Sequence, residues 1–451
     1  MSSPAGAPSA PPGLPDPLAI LRTRSYQVLL VLGGVLGVPV AVVAYFFLQG
    51  VARLQTEIYK NLPISLGFHG APIWWPLPWL ALCGALVAIS VVYLPGTSGH
   101  EPSEGLNTGG PVDPVNLFGV VAAAFATLSL GAVLGPEAPL IAIGSGMGVL
   151  AVHLLKRDAP AQAVLVIGAA GSFAAISALL GSPLVAAFLL MEMSGLGGPM
   201  MEIVLLPGLL AAGVGSLVFV GLNSMTGLGT FSLAVTGIPA FGSPTLGEFL
   251  WAIGIGVGGA LLASVIFRIA KICRRIIEGR RLLLTPVAGL AIAGIAMAFE
   301  AGTGRGSTTV LFSGQSALPA LVQHAAGWTV GALLLLMLCK GLAYSVSLGG
   351  FRGGPIFPSM FLGAAGGIAL SHLPGLPLMA GVAMGVGAVI AGALKMPLTA
   401  VLLPSVMFVS DSIPLMPLVI VAVVVSYIVS TQLAAMGAQH PDAQPASTPH
   451  G

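Results

Sequence analysis

Long apolar runs, repeatedly interrupted by glycine and proline, limit the fold of this chain more than any other feature. Residues 27–51 and 249–267 are two such runs, and each has the roughly twenty residues needed to cross a bilayer. Only 7% of the residues are charged, whereas a soluble domain carries about a quarter. We therefore expect an all-α integral membrane protein, multi-pass in a cell inner membrane or plasma membrane. The 63 glycines and 36 prolines predict close helix packing and broken helices.

The distribution of polar residues predicts the domain organisation. Residues 1–20 are rich in Pro, Ala and Ser and read as a disordered cytosolic tail. The transmembrane domain then covers residues 21–435, with halves at about 21–225 and 245–435. The tail at 436–451 is short and polar, so we expect no cytosolic regulatory domain there. One basic cluster, which the positive-inside rule places in the cytoplasm, consists of Arg268, Lys271, Arg274, Arg275, Arg280 and Arg281.

One carboxylate, Glu137, stands between two prolines in the otherwise uncharged stretch 134–144, LGPEAPLIAIG. An isolated acid inside a membrane costs about 3 kcal/mol on insertion scales, so it points to function. Gly135 and Pro136 are typical of a helix start, and a helix that begins within a membrane directs unpaired N–H groups forward. The stretch predicts an anion site that Glu137 can itself occupy. We expect no fixed Lys or Arg there, because partial charges bind an anion weakly enough to release it.

An internal repeat relates the two halves. Residues 177–193, SALLGSPLVAAFLLMEM, resemble residues 391–407, AGALKMPLTAVLLPSVM, at a constant offset of 214. Near the glycine-rich breaks, residues 134–135 and 348–349 are both Leu-Gly at the same offset. Apolar sequence of low diversity produces chance matches, which is the alternative. We interpret the pattern as two inverted-topology halves with paired broken helices and a substrate site between them.

Four segments resemble the CLC family of chloride channels and chloride/proton antiporters. They are TSGHEP at 97–102, GPEAPLIAIGSGMG at 135–148, PLVAAFLLMEM at 183–193 and GGPIFPSMFLG at 353–363. Their order and spacing fit the family, so the resemblance covers essentially the whole chain. It implies the CLC-type fold with broken and tilted helices, of the bacterial type. It also implies a homodimer in the lipid bilayer with one pore in each subunit, no cofactor, and chloride and protons as the transported ions.

The resemblance also implies roles for single residues. Glu137 matches the external gating glutamate, and Glu192 matches the internal proton-transfer glutamate. The implied anion-binding residues are Ser98, Gly99, Ile356 and Phe357. Each candidate has a structural alternative, because Glu137 can be a helix cap, Glu192 an interface residue and Ser98 a turn residue.

The chain departs from the family pattern at several positions. Pro136 stands where the family has Lys or Arg before the gating acid, and Pro355 removes one amide donor from the last segment. Glu101 follows Ser98 closely, so either its side chain points to the cytosol or the local alignment is off by a residue. The family's anion-contacting tyrosine has no match, since Tyr427 lies about ten residues too early.

These observations predict anion transport, most directly chloride/proton exchange with a glutamate gate. The alternative is a passive voltage- or pH-gated chloride channel, which the missing tyrosine keeps open. A non-transporting scaffold or sensor and another anion, such as nitrate or fluoride, remain further alternatives. The sequence holds no nucleophile–base pair and no Cys or His spacing typical of a metal site, so we predict neither an enzyme nor a metalloprotein. Nothing in it indicates nucleic-acid binding.

Overall fold

The structure, a computed structural model, describes residues 21–106, 110–195, 199–229, 233–237 and 241–438. The tails predicted at 1–20 and beyond residue 438 lie outside the described residues. Within the described ranges, nine helices are long and apolar enough to cross a membrane, and five other apolar helices are shorter. The predicted all-α membrane architecture is confirmed.

The first half contains seven helices of more than ten residues among its described residues, besides the four-residue helix Leu62–Ser65. They are α1 Arg24–Thr56, α2 Pro76–Tyr93, α3 Pro114–Leu130, α4 Glu137–Leu155, α5 Ala161–Leu180, α6 Pro183–Ser194 and α7 Pro199–Thr226. Their ends are set by local chemistry. Asp113 caps α3 by accepting the Val115 N–H, and Gly131 ends it in the left-handed conformation with φ 117°.

The second half repeats this order with a longer second helix and one additional short helix. Its elements are α8 Leu246–Glu278, α9 Arg281–Thr303, the short α10 Leu318–Gln323, α11 Val330–Gly350, α12 Ile356–Ser371, α13 Leu378–Leu394, α14 Pro397–Met407 and α15 Ser412–Ala438. The prolines matched in the sequence repeat, Pro183 and Pro397, begin α6 and α14. Proline suits these positions because the first helical turn needs no N–H from it.

The two glycine-rich breaks meet inside the molecule. The Gly135 N–H donates to the Gly354 carbonyl at 2.7 Å, and the Gly354 N–H donates back to the Gly135 carbonyl at 2.6 Å. The strands of this bridge run antiparallel, as two inverted halves require. The predicted correspondence of residues 134–135 with residues 348–349 in the repeat is wrong. Gly135 lies in the break before α4, whereas Gly349 lies within α11. The helix starts Glu137 and Ile356 correspond instead, since α11 extends further toward the break than the offset of 214 allows.

Glycines let the helices that follow each break cross their neighbours closely. A Cβ added to Gly144 of α4 would lie 2.2 Å from the Gly171 carbonyl oxygen of α5. A Cβ added to Gly363 of α12 would lie 2.4 Å from the Gly385 carbonyl oxygen of α13. Small residues at such crossings allow backbones to approach within a membrane. The same contact in both halves fixes the direction in which α4 and α12 point at the bridge.

Candidate functional site

The Glu137 side chain is fully buried at the first residue of α4 and reaches across the bridge to α12. Its Oε1 accepts the Phe357 N–H at 2.8 Å, and the Ile356 N–H also faces the carboxylate. We call these two N–H groups at the start of α12 the amide site. Oε2 has no hydrogen-bond partner in the described part of the chain. The carboxylate therefore lies where a helix N-terminus offers donors to an anion.

Two glycines make room for this carboxylate. A Cβ added to Gly354 would lie 1.8 Å from Oε2, and one added to Gly135 would lie 2.2 Å from it. Contacts below 3.0 Å require atoms to move, so any larger residue displaces the side chain of Glu137. The bridge between the halves and the position of the acid thus depend on the same pair of glycines.

The Ser98 loop forms a second part of the site. Thr97 and Ser98 have positive φ angles of 51° and 58°, and Ser98 is fully buried. Its hydroxyl has no hydrogen-bond partner among the described residues. The Gly99 N–H donates to the Gly96 carbonyl at 3.1 Å, which closes the turn. Non-glycine residues rarely hold such angles, and backbone strain of this kind concentrates at functional sites.

Ser98 opens onto a cavity of about 280 Å³, which we call the serine cavity. Ala138 and Pro139 of the first turn of α4 line it, as does Gly353 of the bridge segment. The serine cavity therefore reaches the residues on either side of Glu137 and of Gly354. The structure brings Glu137, the amide site and the Ser98 loop into one region at the meeting of the two halves.

A buried arginine also lines the serine cavity, which corrects the expectation that no fixed cation stands there. Arg352, in the link between α11 and α12, is 3% exposed. Its Nε and Nη2 donate to the Thr97 carbonyl at 3.4 and 3.3 Å. Thr97 and Arg352 are 255 positions apart, so only the folded chain brings them together. The arginine within GGFRGG was the available sequence signal.

The structure also explains the acid beside Ser98. Glu101 forms ion pairs with Arg274 of α8 and Arg281 of α9, and Arg352 lies 3.5 Å from its Oε1. Burial alone raises the pKa of Glu101, but the hydrogen bond from Arg281 and the three positive charges outweigh burial and hold this pKa below its ordinary value. Glu101 is therefore neutralised by cations and contributes little repulsion to an anion near Ser98.

Glu192 lies apart from these groups, at the start of α14. Its Oε1 accepts the Leu398 N–H at 2.6 Å. Its Oε2 accepts the Thr399 N–H at 2.7 Å and the Thr399 hydroxyl at 2.6 Å. The neighbouring residue, Met193, lines the serine cavity. Glu192 thus acts as the N-terminal partner of a helix from the other half.

Sequence reasoning missed a second buried polar side chain at the amide site. Tyr344 of α11 is 1% exposed, and its hydroxyl donates to the Pro355 carbonyl at 2.8 Å and lies 3.2 Å from Ser359 Oγ. It fixes the first turn of α12 at Pro355, where that turn has no N–H to offer. Among the described residues, no three His, Cys, Asp or Glu side chains cluster as metal ligands would.

Comparison with known proteins identifies the family. The profile described as "Voltage gated chloride channel" matches residues 96–431, which is well over half of the chain. This chain belongs to the CLC family. Membership confirms the predicted family and assigns the chain to a group of multi-pass membrane proteins that transport anions.

Curated relatives cover most of this CLC chain. The ion-transport protein YfeO of Escherichia coli O17:K52:H18 (strain UMN026) is 26% identical over 364 residues, with 79% of this chain and 82% of the relative covered. The YfeO protein of Salmonella newport (strain SL254) is 28% identical over 366 residues, with 79% and 84% covered.

Solved structures share the CLC fold of this chain. A CLC-type fluoride/proton antiporter has a TM-score of 0.69 at 20% identity and covers 91% of this chain and 97% of its own. A slow cyanobacterial Cl⁻/H⁺ antiporter has a TM-score of 0.69 at 19% identity and covers 92% and 99%. The predicted CLC-type architecture is confirmed by these likenesses.

Proposed function

We propose that this chain exchanges chloride for protons across a cell membrane, as a homodimer with one pore in each subunit. One observation carries the proposal: the Glu137 carboxylate accepts the Phe357 N–H and so occupies the amide site itself. Ionised, it competes with chloride for the same donors. Protonated, it is neutral, no longer competes as an anion, and leaves the amide site to chloride. Each change of occupant then requires a proton to arrive or depart.

The remaining residues complete the path in this proposal. Ser98 offers its hydroxyl to the anion in the serine cavity, and Gly99 shapes the turn that presents it. Ile356 and Phe357 supply the amides, and Glu192 passes protons between Glu137 and the cytosol. The solved structures with this fold are named as chloride/proton and fluoride/proton antiporters, which supports exchange of an anion for protons. Chloride is the anion proposed, and fluoride and nitrate are the alternatives.

Reconstitution in liposomes tests the proposal. The purified chain is placed in vesicles with a chloride gradient and no pH gradient, and proton and anion movements are recorded together. Exchange predicts proton movement driven uphill by the chloride gradient. Vesicles without protein give the background. Anion flux without any proton movement would refute exchange, and absence of both would leave a non-transporting role.

A passive anion channel is the second candidate, and one observation favours it. Glu192 accepts three hydrogen bonds from Leu398 and Thr399, so every proton it carries must first break contacts that stabilise its ionised form. If those contacts persist during transport, no internal proton carrier is available. The same liposome measurement separates the two functions, because a channel dissipates the chloride gradient without moving protons.

A further inference from the structure

Arg352 holds a positive charge deep in the protein, beside the Ser98 loop. Its side chain is 4% exposed, and its three nitrogens lie 3.3–3.4 Å from the carbonyl oxygens of Thr97 and Phe351. A guanidinium has five N–H donors. Those of Arg352 make only long contacts, three with neutral carbonyl oxygens and one, from Nη2, with Glu101 Oε1 at 3.5 Å. The group therefore keeps donor capacity in a place from which bulk water is largely excluded.

The nearest carboxylate does not fully balance this charge. Glu101 Oε1 pairs more closely with Arg281 than with Arg352, and Oε2 pairs with Arg274. The other acids of the cluster, Glu104 and Glu278, are 48% and 54% exposed and therefore strongly solvated. Arg352 is the most buried of the three arginines and has the longest contact with Glu101.

The serine cavity faces this charge with a second unused donor. The Ser98 hydroxyl is buried, lines the cavity and has no hydrogen-bond partner among the described residues. Two other titratable groups line the cavity, His100 and Asp113. Asp113 is exposed, its Oδ1 accepts the Val115 N–H at the start of α3, and it forms no ion pair with Arg352 in the described part of the chain. Ser98 and Arg352 thus line one cavity of about 280 Å³, which has room for a small anion.

We propose that Arg352 is an anion-binding residue, which together with Ser98 holds a monovalent anion in the serine cavity. The family's anion-contacting tyrosine has no counterpart in this chain, and Arg352 supplies donors on the Ser98 side of the amide site. The negative charge of Glu101 partly offsets the positive charge of Arg352. The net attraction is therefore strong enough to bind an anion and weak enough to release it. This inference rests on the proposed function only in that the bound anion is the transported one.

Equilibrium chloride binding to the purified full-length chain, measured by calorimetry, tests the proposal. Replacing a charged hydrogen-bond donor with a neutral one weakens binding by about tenfold or more, which is the loss expected for Arg352→Gln. Arg352→Lys keeps the charge and should recover most of the affinity. The matched control, Arg280→Gln, removes an exposed cation from the same basic cluster and should bind like the unaltered chain. Unchanged affinity in Arg352→Gln, or an equal loss in the Lys and Gln variants, would refute the proposal.

If the variants do not fold, a measurement on the unaltered chain tests whether Arg352 binds an anion. Crystals soaked in bromide should show anomalous density within hydrogen-bond distance of both the Arg352 guanidinium and Ser98 Oγ. Bromide bound only elsewhere would overturn the assignment. Neither experiment depends on proton movement. A chain that binds chloride through Arg352 and fails to drive protons would therefore refute exchange and leave this inference standing.

Discussion

Glu137 accepts a hydrogen bond from an amide that we propose binds the transported anion, so in this proposal one side chain decides whether the amide site is open. The carboxylate is buried, one oxygen accepts the Phe357 N–H, and the other has no partner in the described part of the chain. A buried carboxylate with one satisfied oxygen is held less firmly than one with both satisfied. The geometry therefore suits an acid that leaves its position during function.

Replacement of Glu137 tests its role as a gate. Glu137→Gln keeps the shape but cannot ionise, so proton movement in chloride-loaded liposomes should fall to background while anion flux persists. The measurement is simultaneous recording of external pH and chloride. Glu202→Gln, which removes an exposed carboxylate, serves as the control. Proton coupling that survives in Glu137→Gln would remove Glu137 from the gate.

The lowered pKa of Glu101 predicts a pH-dependent stability. Because this pKa is lower in the folded chain than the ordinary value of about 4.3, the ion pairs stabilise the fold above that value. The stabilisation is lost as the pH falls through the lowered pKa. Among the described residues, Glu101→Gln leaves Arg352 without a carboxylate partner and removes one partner each from Arg274 and Arg281, so it should cost about 3 kcal/mol at pH 7. The difference in melting temperature between the two proteins should narrow below about pH 4. A difference in melting temperature that stays constant down to pH 3 would contradict the claim that the ionised form of Glu101 stabilises the fold.

At the scale of elements, both intramembrane acids of the first half cap a helix of the second half. Glu137 of α4 reaches the start of α12, and Glu192 of α6 reaches the start of α14. The repeat places Ile356 opposite Glu137, so the second half does not return the contact with an acid of its own. The duplication is therefore symmetric in backbone and asymmetric in charge. That asymmetry concentrates the titratable groups on one side of the interface.

Glu192 can be tested as both a cap and a carrier. Glu192→Gln removes the charge that three donors of α14 face, and the melting temperature should fall, by the equivalent of about 1–3 kcal/mol. If Glu192 also carries protons, the same variant should transport chloride with proton movement reduced to background. Stability loss with normal exchange in liposomes would restrict Glu192 to the capping role.

The bridge between the breaks predicts the effect of a single methyl group. Gly354→Ala places a Cβ where Glu137 Oε2 lies, so the carboxylate must leave the amide site. We expect anion flux to rise, proton coupling to weaken and stability to fall by about 1–3 kcal/mol. Gly294→Ala, at an open position on α9, is the matched control. In a Glu137→Ala background the stability cost of Gly354→Ala should shrink, which a double-mutant cycle measures.

How far the sequence predicted this fold depends on the range of each interaction. Several helix starts followed from prolines such as Pro183 and Pro397, because that signal is local. The apolar run at 249–267 predicted α8 but not its end, since the helix continues through the basic residues to Glu278. The meeting of Glu137 with Phe357 followed from the family resemblance, since the two residues are 220 positions apart. Arg352 was missed because its partner Thr97 lies on a distant loop, and nothing in the link between α11 and α12 shows which loop it meets.

At the scale of the whole molecule, the basic residues gather at one end. A cavity of about 950 Å³ lies between α8, α13 and α15, and Arg268, Lys271, Arg275 and Lys395 line it together with Arg274. The positive-inside rule places this end in the cytoplasm. Glu104 and Glu278 also line it, so its five cations outnumber its two carboxylates. A cleft with an excess of one sign of charge attracts the opposite ion, so we expect this cavity to attract anions such as chloride.

Site-specific labelling tests this orientation. In a background without native cysteines, Arg280→Cys at the start of α9 should react with a membrane-impermeant maleimide only from the cytoplasmic side. Ala301→Cys lies near the other end of the same helix and should react only from outside, because α9 spans the membrane between them. The reverse labelling pattern in intact cells would invert the assigned topology.

The paired hydrogen bonds between Gly135 and Gly354 also limit how this protein can move. Transporters that swing two rigid lobes about a central substrate separate those lobes at the substrate itself. Here the two halves are hydrogen-bonded to each other beside the proposed anion site, so such a swing would first have to break both bonds. If the chain exchanges ions as proposed, we expect access from either face to alternate through the rotation of side chains, with the backbone at the crossing almost still.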